Sequence, residues 1–254
     1  MHVTILHEDE HLVAIDKPPG LLVHRTRLAA GTDDCALTRV RDQIGAFVFP
    51  VHRLDRATSG VLVFAKTSSA ATVLAGAFEN GSVAKRYLAL VRGWPEACGV
   101  VNHPLARDPE RASTGQPMLE SRTVWRRLAR LACSFAVDPR HATTRYALIE
   151  ANPRSGRRHQ IRRHFHHLAH PLIGDTTHGK GEHNRAIAAW LGIARLWLHA
   201  LALTLVHPAT SKRLTIRAPL GPEWRTLLTR DEWVWDDPAC ESFLVEGAGY
   251  PSDE

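Results

Sequence analysis

The chain has 254 residues, enough for one large domain or two modest ones with ample core, and its 44% apolar and 23% charged residues are ordinary for a soluble globular protein. No apolar run approaches the roughly 20 residues of a membrane-spanning helix. The formal charge of +6 (32 Lys and Arg against 26 Asp and Glu) favours a polyanionic partner.

The amino terminus (Met-His-Val-Thr-Ile-Leu-His-Glu) lacks the basic-then-apolar order of a signal peptide. Cys35, Cys98, Cys133 and Cys240 lie far apart with no C-x-x-C pair, so they read as incidental thiols of a reducing compartment, and the cytoplasm is expected.

Val3–Leu6 and His11–Ile15 are short apolar runs around the acidic turn Glu8-Asp9-Glu10, the pattern of a hairpin. Lys17-Pro18-Pro19-Gly20 forces a turn, and Leu21–Val23 resumes an extended segment. Thr32 or Asp33 can cap a helix running to about Gln43, with Leu37, Val40 and Ile44 at helical spacing. Val61–Ala65 reads as a buried strand, Ser68–Phe78 as a helix ending near Asn80-Gly81, and Lys85–Val91 as a strand. Residues 106–120, rich in Pro, Ser, Arg and Gly, make the clearest surface loop. Further strands are expected at Arg122–Leu131, Ser134–Val137, Arg145–Glu150, Trp197–Val206 and Arg213–Arg217. Further helices are expected at Arg158–Leu168 and Asn184–Leu191, with a last one from Gly221-Pro222. Strands dominate without regular alternation with helices, which predicts an α+β fold: a mixed, mainly antiparallel sheet with peripheral helices. The reading is of a single domain over 1–254, its core at about 1–220 and a carboxyl-terminal extension at 221–254.

The most informative stretch is His52-Arg53-Leu54-Asp55-Arg56-Ala57-Thr58-Ser59-Gly60, which runs directly into the apolar strand. It sets one carboxylate, Asp55, among basic neighbours in a loop held by a strand, where enzymes tend to mount catalytic groups. Local chemistry leaves two readings open: a catalytic carboxylate, or a turn cap or surface ion pair. Arginines cluster at 154, 157, 158, 162 and 163 and again at 122, 126, 127 and 130. The guanidinium fork suits phosphate, so nucleic acid is the favoured partner.

From His52 to Lys66 the chain resembles the signature of the RluA-type pseudouridine synthases, His-Arg-Leu-Asp-x-x-Thr-Ser-Gly followed by an apolar strand ending in Ala-Lys. Glu8–His24, Lys85-Arg86-Tyr87 and Gly156-Arg157-Arg158-His159-Gln160-Ile161-Arg162 resemble that family's other motifs, in the same order. The resemblance implies a large catalytic sheet in two halves with the cleft between them, Asp55 as the indispensable catalytic residue, Tyr87 stacked on the target base, and Arg162 paired with the carboxylate. It also implies that Arg53 fills the space left by a flipped nucleotide, and it brings His52, Arg56, Lys85, Arg157, Arg158 and His159 to the RNA. Lys17 is the residue of the first motif expected nearest the site. If Arg158–Leu168 is helical throughout, Arg158 and Arg162 share one face. Arg163 departs from the commoner Val.

The run from His164 to Gly179, with His183 beyond, is rich in histidine but carries no Cys pair or H-E-x-x-H, so no metal is expected. No G-x-x-x-x-G-K phosphate loop or G-x-S-x-G elbow occurs, and no cofactor is expected. Arg163-His164, His170-Pro171, Gly174-Asp175 and His178-Gly179 resemble the TruC-like branch of the family, which implies isomerisation of a uridine in tRNA, in the T-arm stem (position 65 in tRNA numbering). The expected state is a monomer, and an S4-type RNA-binding domain is not expected. A ribosomal RNA target and a non-catalytic RNA-binding module are the alternatives, with a His-rich metallohydrolase a third.

Overall fold

The computed structural model describes residues 2–24 and 34–246. A hairpin of β1 (Thr4–Glu8) and β2 (Leu12–Lys17) opens the chain, its turn closed by Asp9 Oδ1, which accepts from the amides of His11 and Leu12. Helix α1 (Ala36–Ile44) follows, then β3 (Phe49–Pro50), β4 (Ser59–Ala65), α2 (Ser68–Glu79), β5 (Ala84–Arg92) and β6 (Cys98–Asn102). Two-residue strands β7 (Leu105–Ala106) and β8 (Met118–Leu119) pair across the loop between them. The long hairpin β9 (Arg122–Cys133) and β10 (Thr144–Pro153) leads to α3 (Gln160–His167) and α4 (Gly181–Leu191). Strands β11 (Leu198–Val206) and β12 (Arg213–Arg217), helix α5 (Pro222–Leu228), β13 (Trp233–Trp235), α6 (Pro238–Glu241) and a π-helical turn (Ser242–Glu246) complete the described elements.

Eleven of these strands form one sheet, ordered β1-β2-β4-β11-β5-β10-β9-β13, with β3 on β4, β12 on β11 and β6 on β9. It is the expected α+β architecture. Among the described strands the β4–β11 contact is the one parallel junction, only two residue pairs long (Ser59 with His199, Gly60 with Ala200), and it divides the sheet into two halves. Gly60 has φ +107°, and a Cβ there would collide with the Ala200 backbone, so only glycine lets the halves meet. This glycine ends the Asp55 segment and fixes where it sits.

Both faces of the central strands are covered, so they read as continuous apolar runs rather than alternating ones. On β5, Tyr87, Ala89 and Val91 face one core with α1 and α3, while Leu88 and Leu90 face a second with Trp197, α4 and α5. A third core lies between β4 and α2.

Two local expectations need correction. Ser134–Val137 is not a strand: the Thr144 hydroxyl donates to the Phe135 carbonyl and accepts from the Val137 amide, so side-chain bonds shape a loop there. Helix α3 starts at Gln160, not Arg158, because His159 takes the left-handed conformation (φ +55°). The expected caps Thr32 and Asp33 lie outside the described residues; Cys35 flanks the start of α1. The segment after residue 220 is joined to the rest through β13, which pairs with β9. No helix among the described residues is long and apolar enough to cross a membrane.

Candidate active site

The loop before β4 carries Asp55 at the mouth of the junction between the half-sheets. It is fastened from beneath. Lys17 is fully buried, and its Nζ donates to the carbonyls of Pro18, Leu21 and Arg56 at 2.9, 2.9 and 3.1 Å. Arg56 Nε donates to the Gly20 carbonyl, and the Gly20 amide to the Arg56 carbonyl. Lys17 therefore holds the loop that bears Asp55 instead of reaching into the cleft. Burial pulls its ammonium down to about 7, against the attraction of Asp55.

Asp55 Oδ2 accepts from Arg162 Nη1 at 3.0 Å. The same guanidinium is gripped bidentately by Asp175, with Nε to Oδ2 at 2.7 Å and Nη2 to Oδ1 at 2.8 Å. Asp175 is wholly buried, and its Oδ1 also accepts from the amides of Thr177 and His178. Burial opposes charge on both partners. The mutual pairing outweighs it, holding the Asp175 carboxyl below its ordinary value and Arg162 above its own. Gly174, at φ +78° and pressed on the Arg195 carbonyl, admits no side chain, which explains the glycine before this acid. Asp175 escaped the sequence reading as a site residue; its one signal was its place in Gly174-Asp175.

Tyr87 reaches the same cleft from β5, 9% exposed, and its hydroxyl has no hydrogen-bond partner among the described residues. Burial and the nearby Asp55 charge push this phenol well above its ordinary value, so it stays protonated through neutral pH. The cleft, about 360 Å³, is lined by Asp55, Tyr87, Arg162, His52, Arg53, Lys85, Arg157, Arg158 and His159. Arg56 lies outside that lining, tied to Gly20.

These residues differ in what they can offer. His52 Nε2 accepts from the Val63 amide, and its ring stacks on Phe78 at 4.2 Å. Burial, with Lys85 beside it, drives it down to about 3, so it is a neutral wall and not a cation. His159 Nε2 lies 3.9 Å from Asp55 Oδ1, and its Nδ1 is 3.0 Å from His178 Nε2; burial lowers it to about 4, so it too is neutral at pH 7. Lys85 Nζ donates to the Ser155 carbonyl and is lowered to about 8 by burial and by Arg154 and Arg157. Arg157 is exposed and binds the Glu120 carbonyl. Arg53 is exposed and without a partner among the described residues. Arg158 does not share a helix face with Arg162: it leaves the chain before α3 and pairs with Asp108 (3.3 Å) and Glu110.

Gln160 is structural. Its side chain joins Ser155, the Arg157 amide, the Arg122 carbonyl and Thr123, and so anchors the start of α3. Among the described residues no three His, Cys, Asp or Glu side chains are grouped to hold a metal ion: His164 is bonded to Ser121 and Thr123, His166 to the His178 carbonyl, and His170 to the Arg92 carbonyl.

A family described as RNA pseudouridylate synthase matches residues 11–167. The tRNA pseudouridine synthase C of Vibrio cholerae is 44% identical over 234 residues, covering 90% of this chain and 96% of its own. That of Haemophilus ducreyi is 40% identical over 241 residues, covering 93% and 99%. Among solved structures, Human RNA Pseudouridylate Synthase Domain Containing 4 aligns with a TM-score of 0.68 at 25% identity, over 91% of this chain and 94% of that one. Human RNA Pseudouridylate Synthase Domain Containing 1 shares the fold, with a TM-score of 0.69 at 22% identity over 92% and 89%. The matched stretch contains Asp55, Tyr87 and Arg162, and the chain belongs to the RNA pseudouridylate synthase family, the RluA-type pseudouridine synthases.

Proposed function

We propose that this enzyme converts a uridine of tRNA, in the T-arm stem at position 65, to pseudouridine in the cytoplasm, with Asp55 as the catalytic carboxylate. The observation that carries the reading is the Asp55–Arg162–Asp175 chain opening beside an unpartnered Tyr87 in an arginine-lined cleft. The tRNA substrate is the one named for the relatives that match nine-tenths of this chain.

The reaction breaks N1–C1′, turns the uracil and joins C5 to C1′; C5 loses a proton and N1 gains one. Atoms balance, so no cofactor or energy source is required. A uridine inside a stacked stem must first leave the stack, at a cost of a few kcal/mol. Arg53, exposed and unpartnered, suits the vacated space. The Tyr87 ring suits the flipped base. Arg162 supplies the counter-charge against which Asp55 works, as a nucleophile at sugar or base or as the base that removes a sugar proton. Either route requires the carboxylate to be fixed in place, which the Lys17 clamp and Arg162 do from two sides.

Deleting the gene in its host and mapping pseudouridines across all stable RNA by carbodiimide labelling tests the substrate. A site in the T-arm stem is expected to vanish while ribosomal RNA stays unchanged, and Asp55→Asn is expected to reproduce that loss with RNA affinity kept within a few-fold. A lost ribosomal site with tRNA intact transfers the substrate to ribosomal RNA. No lost site leaves a binding module.

A further inference from the structure

The loop between β7 and β8, residues 107–117, is knit by its own hydrogen bonds despite its Pro-, Ser- and Gly-rich composition. Gln116 is its hub: Nε2 donates to the carbonyls of Asp108, Arg111 and Ala112, and Oε1 accepts from the Asp108 amide. The loop is tied to the catalytic wall by Arg158, which spans 50 residues of sequence to reach Asp108 and also grips Glu110. Arg163 Nη1 adds a bond to the Ala106 carbonyl at 2.8 Å.

Between this loop and the Asp55 loop lies a hollow of about 610 Å³, edged by Arg53, Arg107, Arg111 and Arg158, with one carboxylate, Asp108, held by Arg158 and Arg111. It adjoins the cleft: Arg53 and Arg158 line both. The charges divide clearly. Arg158 is neutralised by the two acids, and Arg111 makes only an exposed contact with Asp108 at 3.4 Å. The side chains of Arg53 and Arg107 are exposed and have no hydrogen-bond or ion-pair partner among the described residues, the Arg107 amide alone bonding the Pro117 carbonyl.

We propose that this hollow seats the RNA backbone beside the flipped nucleotide. In this arrangement Arg107 and Arg111 contact phosphates opposite Arg53, and Arg158 serves as a strut that sets the height of the loop. Guanidiniums without protein partners at the mouth of a cleft present free forks to phosphate oxygens. A nucleotide whose base enters the cleft keeps its sugar-phosphate strand at that mouth. Arg158 is thus a positioning residue, and Arg107 and Arg111 are contact residues that the sequence motifs do not contain. The inference rests on RNA as the substrate, as argued above.

The test measures binding of a T-arm-containing tRNA transcript, and its turnover, over a range of salt. Arg107→Ala/Arg111→Ala is expected to weaken binding about tenfold and to flatten the slope of log Kd against log salt by about 1 to 2, one contact each. The accompanying change in turnover should fall in KM more than in kcat. A slope and Kd equal to the parent's overturn the hollow as a phosphate seat. Arg158→Glu is expected to raise KM, and Arg158→Glu/Glu110→Arg, which swaps the pair, to bring it back within about twofold. A swap that folds but leaves KM as high as the single variant overturns the strut and makes Arg158 a direct RNA contact. Binding is read independently of turnover, so failure of the parent enzyme to form pseudouridine counts against the proposed reaction and not against the hollow.

Discussion

Arg158 and Arg162 are four residues apart in one motif, and each meets two carboxylates, yet they live in different electrostatic worlds. Arg162 is 8% exposed and faces Asp175, which has no exposure at all; Arg158 is 29% exposed and faces Asp108 and Glu110, at 33% and 51%. Around Arg162 the surroundings cannot solvate a charge that loses its partner, so the pairs must stay intact. Around Arg158 water screens the same attraction to little net worth. Burial, more than residue type, decides that one arginine fixes the chemistry and the other can only adjust a loop.

Breaking the buried pair should therefore have the largest effect. Arg162→Ala leaves Asp175 buried and uncompensated and strips Asp55 of its counter-charge. Turnover is expected to fall to background, and stability by about 3–5 kcal/mol in urea unfolding. Arg162→Lys keeps the charge but not the fork, so it can satisfy one carboxylate at a time and should recover part of the stability. Full turnover and an unchanged midpoint in Arg162→Ala would remove this residue from the mechanism.

Asp175→Asn is a milder cut, because Arg162 retains Asp55. Asparagine turns a donor toward a donor, the guanidinium loses its fixed angle, and a displaced Asp55 should cost about a hundredfold in turnover. It also gives a pH test. The folded protein holds the Asp175 carboxyl below its ordinary value, so the pairing stabilises the fold above the unfolded value of about 3.9 and is lost as pH falls through the lower folded one. The stability gap between parent and Asp175→Asn should be full at pH 7 and close on acidification below about pH 4. A gap constant down to pH 2 would mean that packing, not charge, is what the substitution removed.

How much of this the sequence could disclose follows the same division. The run Val61–Ala65 and the alternation of Arg213–Arg217 encode their strands locally, and β4 and β12 contain them. Trp233–Trp235 joins the sheet only because β9 extends to receive it, and acids around so short a run hide it. Asp55 and Arg162 stood out because a long motif carries each, and Tyr87 because its short Lys-x-Tyr match falls in order between them. Asp175 did not, because its role exists only once the turn after α3 folds back on Arg162. The helix face expected to join Arg158 to Arg162 was wrong for the complementary reason: spacing in a basic run does not disclose that the helix starts only at Gln160 or that acids of a distant loop meet Arg158.

The smallest expected effect is the sharpest test of the contrast. Arg158→Gln removes the charge but keeps a side chain long enough to cover the same surface. Two half-exposed ion pairs are lost, and Asp108 and Glu110 can turn to water, so unfolding should shift by less than about 1 kcal/mol, and by less still at high salt. The loop would lose its strut while Gln116 keeps its internal shape, so turnover at saturating RNA should change little and KM should rise. A loss of several kcal/mol in Arg158→Gln, comparable to that of Arg162→Ala, would show that the outer pair is as poorly solvated as the inner one and abolish the distinction between them.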